Sequence, residues 1–224
     1  MTQTNRSGGA ARIVAIVLMA ATALVTLVSG AGTYCAAFNP EAYASMAALI
    51  PFKWLYQIFV VVTVGLGLAG AGVVYGLIRG RAWSYRAALI TLAAIIVAAG
   101  IHIGTSRLLR GKSMPNDLRL YAAALTLLAF VIMPRLWKGV FRDAASGRGN
   151  ARPAAGLSLC VAGLLAVTAP AWASAGHWLH GENLVLEWLG PLLAGGGLCL
   201  VIGLGLLAWA RPAAAGVCPA DSAA

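Results

Sequence analysis

The chain is poor in charge. Only 10% of its 224 residues are Asp, Glu, Lys or Arg, and 61% are hydrophobic. A soluble domain carries roughly 25% charged residues. This chain cannot coat a water-facing surface, so lipid must be its solvent. Acids are scarcer still, six against sixteen Lys and Arg, and between Arg12 and Arg211 they fall only in connectors. Proton-driven transport generally uses a buried acid, and none is in place. Paired intramembrane carboxylates and a Ser-His-Asp set are also missing, so catalysis is not supported. The four cysteines, Cys35, Cys160, Cys199 and Cys218, share no CxxC spacing. Cys160 and Cys199 fall mid-span and read as packing residues. The Gly32-Thr33-Tyr34 stretch before Cys35 is a poor lipobox.

What the chain has is long apolar runs with basic residues between them. A net charge of +10 would point to nucleic acid in a soluble protein. Here the cations lie between apolar runs, the pattern that membrane threading produces, and no nucleic-acid partner is expected. The fold class is all-α: a polytopic transmembrane helical bundle of six spans, at about 13–34, 57–78, 87–106, 118–137, 154–174 and 188–210. Residues 1–12 form a cytoplasmic tail, 13–210 the transmembrane domain, and 211–224 a disordered cytoplasmic tail. The first run, Ile13 to Tyr34, is too long for the apolar core of a cleaved signal peptide. The fourth is the weakest, because Arg119, Arg135 and Lys138 must snorkel and Pro134 can end it.

Phe38 to Trp54 is a connector with structure of its own. Asn39-Pro40-Glu41 reads as a helix start, with Asn as cap, Pro at the first position and Glu at the positive end of the dipole. The short helix should run to Pro51 along the interface, resting Met46, Leu49 and Ile50 on lipid or bundle. The second span holds Gly65, Gly67, Gly70, Gly72 and Gly76. Inside an uncharged run with no strand before it, this is not a dinucleotide fingerprint. Gly65, Gly72 and Gly76, with Gly196 and Gly203 of the sixth span, are expected to pack helix against helix.

Threading follows from the cations. With both termini inside, the inner segments carry Arg6, Arg12, Arg79, Arg81, Arg86, Arg135, Lys138, Arg142, Arg148, Arg152 and Arg211. The outer loops carry Lys53, Arg107, Arg110, Lys112 and Arg119. Eleven against five favours N-in and C-in. All seven Trp fall near interfaces in this threading.

Four of the five outer cations crowd 107–119. Arg107 and Arg110 suit the C-terminal end of the third helix. Arg119 does not suit its place, since it falls in the first turn of the fourth helix, at the positive end of the dipole. It calls for an anion: Asp117, a lipid phosphate or a ligand. His102 lies inside the third span and shares a face with Ser106. His177, His180 and Glu182 lie in the other outer loop and give a weak metal or haem signal. The candidate ligand-binding set is therefore His102, Ser106, Arg107, Arg110, Arg119, His177, His180 and Glu182, gathered in one outer-facing pocket. Cofactor and metal remain unassigned.

The expected function is that of a non-catalytic component of a cell membrane of bacterial inner-membrane type. Such a component is an accessory or assembly subunit that meets lipid and either a membrane-protein partner or its own copies. The alternative is a small-molecule or anion transporter or binding protein, with its site around His102 and Arg119. A haem- or metal-binding membrane protein comes third.

Overall fold

In lipid, a backbone must satisfy its own N–H and C=O groups, so long apolar runs become helices. The computed structural model describes residues 3–111, 117–132, 151–173, 178–179, 182–187 and 189–209. It is helical apart from one two-residue antiparallel pair, β1 (Trp178–Leu179) with β2 (Glu182–Asn183). Helix α1 is Gln3–Gly32 and the short α2 is Tyr34–Phe38. Then come α3 (Lys53–Ile78), α4 (Ser84–Arg110) and α5 (Asp117–Ile132). The last group is α6 (Ala151–Val167), α7 (Ala169–Ala173), α8 (Leu184–Glu187) and α9 (Leu189–Trp209).

Four segments are long and apolar enough to cross a membrane: Arg12–Phe38, Ala44–Ile78, Ser84–Arg110 and Leu189–Trp209. They fall where the first, second, third and sixth spans are expected. At the fourth and fifth positions stand α5, described over 16 residues, and α6, described over 17. Residues 133–137 of the expected fourth span lie outside the described residues.

The first connector departs from the sequence reading. It is two 3-10 turns, Pro40–Ala42 and Ala44–Phe52, rather than one α-helix. Pro40 does take the first position, but the side chain of Asn39 makes no capping bond. Tyr43, in extended backbone, interrupts the two turns. Leu49 is buried with Tyr56 and Phe59, Met46 is half-buried against them, and Ile50 is exposed. Lys53 Nζ donates to Glu41 Oε1 across the connector at 2.9 Å.

Helices α1, α3, α4 and α5 form a closed ring. Each packs on two neighbours, in the order α1, α3, α4, α5 and back to α1. That order sets α3 diagonally across from α5. Helix α6 lies against α1, and α9 packs along α6. The apolar core of the ring includes Ile16, Met19, Leu77, Leu92, Ile95 and Phe130. Polar bonds tie its elements. Arg12 Nη2 donates to the carbonyls of Leu77 and Ile78, both at 3.0 Å. It thereby places a cation on the last turn of α3, where the dipole is negative. The Thr22 and Thr126 hydroxyls pair at 2.8 Å between α1 and α5. Such interhelical bonds contribute about 0.6 kcal/mol each in a membrane.

Glycine packing follows helical phase. A Cβ on Gly67 would lie 2.6 Å from Leu27 Cγ, and one on Gly70 would lie 2.9 Å from Ala23 Cβ. These two glycines, with Gly30 of α1 against Val64, let α1 and α3 approach closely. Gly65 and Gly72 do not take the packing role expected of them. A Cβ on either would meet nothing within 4 Å. Each sits two residues from a packing glycine, about 200° round the helix, and so faces outward. Gly76 meets Trp83 and Ser84 at the turn into α4. Gly196 and Gly203 face Gly163 and Gly156 of α6, so the α6–α9 seam is glycine against glycine at seven-residue intervals.

Candidate functional site

The site is built from residues of three helices around the ring's axis. Arg119 is the third residue of α5 and is 1% exposed. Its Nη1 donates to Thr63 Oγ1 at 2.6 Å, reaching across the diagonal to α3. Thr63 is buried ten residues beyond the start of α3, about 15 Å along the helix axis. From α4, His102 is fully buried, about 12 Å from the helix's C-terminal end. Its ring stacks on Phe59, with centroids 4.5 Å apart, and meets Tyr56 edge-on at 5.5 Å. The guanidinium of Arg119 lies within Coulombic reach of His102. One turn beyond His102, the buried Ser106 hydroxyl pairs with Tyr56 Oη at 2.9 Å.

The sequence-derived set therefore divides. His102, Ser106 and Arg119 are buried in the ring. Arg107 is exposed and turns away from them. The reason is phase, because Arg107 is five residues past His102, about 140° round α4. Arg110 is half-buried and donates from Nε to the Ser45 carbonyl at 3.2 Å, fastening the connector to the end of α4. His177, His180 and the side chain of Glu182 lie outside the described residues. Among the described residues no three His, Cys, Asp or Glu side chains gather into a metal-holding group.

Sequence reasoning passed over Thr63, Tyr56 and Phe59, and over the buried role of Arg12. A usable signal was present, since Tyr56, Phe59 and Thr63 recur at three- and four-residue intervals on one face of α3.

Nε and Nη2 of Arg119 have no hydrogen-bond partner, and no carboxylate pairs with it among the described residues. Asp117, one of the three anions considered for it, stands two residues earlier, about 200° round α5. What the arrangement can do is hold charge. It offers a desolvated guanidinium anchored at one nitrogen, among hydroxyls and aromatic rings, with no carboxylate among these side chains to move a proton.

The residues thus define an α-helical protein with apolar helices suited to a membrane and a polar centre. Compared with known proteins, the chain matches no family model, no curated protein and no solved structure.

Proposed function

We propose that this protein is a multi-pass, non-catalytic component of a cell membrane of bacterial inner-membrane type. It crosses six times with both termini in the cytoplasm and acts as an accessory or assembly subunit, bound to a partner membrane protein or to its own copies. The observation that carries this reading is the α6–α9 hairpin. Helix α9 is held by its glycine seam to α6, while Leu193, Leu198, Val201, Ile202 and Leu204 are exposed along its other faces. Of the four long apolar helices, α9 is the least covered, 11% buried against 28–39% for the others. Trp54, Trp83 and Trp209 are exposed at helix ends, where an aromatic belt meets head groups, which supports the threading.

The test is site-specific photo-crosslinking in native membranes. A photoreactive residue at Val201 is expected to give one discrete protein adduct, and one at Ile90 on exposed α4 only lipid adducts. Lipid adducts alone at Val201 would remove the subunit reading. A second reading, an outer-facing small-molecule or anion binder, is favoured by the two unpartnered nitrogens of the buried Arg119.

A further inference from the structure

Burying an arginine in a bundle core carries a desolvation cost of several kcal/mol unless the charge is matched. Arg119 is buried with one neutral partner, the Thr63 hydroxyl. Its two unpartnered nitrogens, Nε and Nη2, lie on the same edge of the guanidinium. That edge is the fork that takes two oxygens of one phosphate or carboxylate side by side. The Thr63 bond engages the remaining nitrogen and leaves the two nitrogens of the fork buried without a partner. The surroundings add positive potential. Arg119 stands in the first turn of α5, towards the positive end of its dipole. A cation there is unfavourable alone, and an anion at the fork relieves both costs at once.

We propose that Arg119 is the receptor for a phosphate-type oxyanion at the axis of the α1–α3–α4–α5 ring, held side-on by Nε and Nη2, with Thr63 as the positioning residue. The oxyanion is either the phosphate of a phospholipid or a free small anion. Arg107 plays no part, since it is exposed on another face of α4. Lysine cannot replace Arg119, because an ammonium is a point charge without the planar fork.

The experiment uses the full chain, delipidated in detergent, and reads Tm. One arm titrates inorganic phosphate against chloride at constant ionic strength. The other adds phosphatidylglycerol, with a diacylglycerol of the same acyl chains as the phosphate-free control. A rise of about 5–10 °C is expected at a hundredfold excess over Kd. A rise with inorganic phosphate identifies a free anion, and a rise with phosphatidylglycerol alone identifies the lipid. Either rise should vanish in Arg119→Met. If Arg119→Met does not fold, Arg119→Lys carries the test, and its half-effect concentration should rise at least about tenfold, as loss of a bidentate contact implies. No Tm response of the wild-type protein to either probe overturns the proposal. So does a response of Arg119→Met, or of Arg119→Lys, equal to that of the wild type.

Discussion

Arg12 and Arg119 show how one residue type serves two ends. Both are almost fully buried in a protein with few acids. Arg12 spends its charge on the carbonyls that end α3, where the dipole is negative. Arg119 sits at the positive end of α5 and holds one threonine. The same side chain therefore closes a helix at one place and keeps two buried nitrogens unpartnered at the other. Glu41 is a simpler case. The hydrogen bond from Lys53 holds its carboxyl below the usual range, helped by its own backbone amide. A lowered folded pKa means that the contribution is present above the unfolded value and lost as pH falls through the folded one. Melting temperature should therefore drop slightly as pH falls through and below the ordinary glutamate range near 4.3. In Glu41→Gln that part of the pH dependence should disappear. An unchanged pH profile in Glu41→Gln would show that the pair contributes nothing.

Among the elements, the α6–α9 hairpin depends most on absent side chains. A Cβ on Gly163 would lie 2.6 Å from the Gly196 carbonyl oxygen and 3.0 Å from the Leu200 amide. These are backbone atoms, which cannot swing aside as a side chain can. Gly163→Leu should cost about 2 kcal/mol or more by forcing the helices apart. Gly72→Ala, on the open side of α3, should instead stabilise by about 0.5 kcal/mol through backbone entropy. Yield of folded protein and Tm in detergent check the pair. Equal losses for both would show that glycine position does not matter here. Helix α5 is the other dependent element. Its 16 described residues are held by α4, by α1 through Thr22 and Thr126, and by the diagonal reach of Arg119.

At the scale of the molecule, the Arg12 end of α1 stands beside the last turn of α3, so α1 and α3 are antiparallel. The proposed threading puts that end, with the exposed Arg79 and Arg81, in the cytoplasm. Ala48 in the first connector stands at the other end and is exposed. In a background without native cysteines, a cysteine at Arg81 should be labelled only from the cytoplasmic side, and one at Ala48 only from outside. Labelling of both from one side would discard the threading.

The apolar runs by themselves determined helices and a lipid solvent, because an unsatisfied amide is intolerable there whatever it packs against. They also marked Arg119 as a cation at an unfavourable helix end, since dipole and position are local facts. Only the tertiary structure decided which glycines meet a neighbour. Gly65 and Gly72 are as small as Gly67 and Gly70, and phase against α1 separates them. Asn39 likewise makes no side-chain capping bond, and two 3-10 turns stand where one helix was expected. Tertiary structure also set Thr63 opposite Arg119. This is a contact between residues 56 apart in sequence. It arises because a ring of four helices puts α3 and α5 on one diagonal, and nothing in either segment alone encodes which helix lies across the axis.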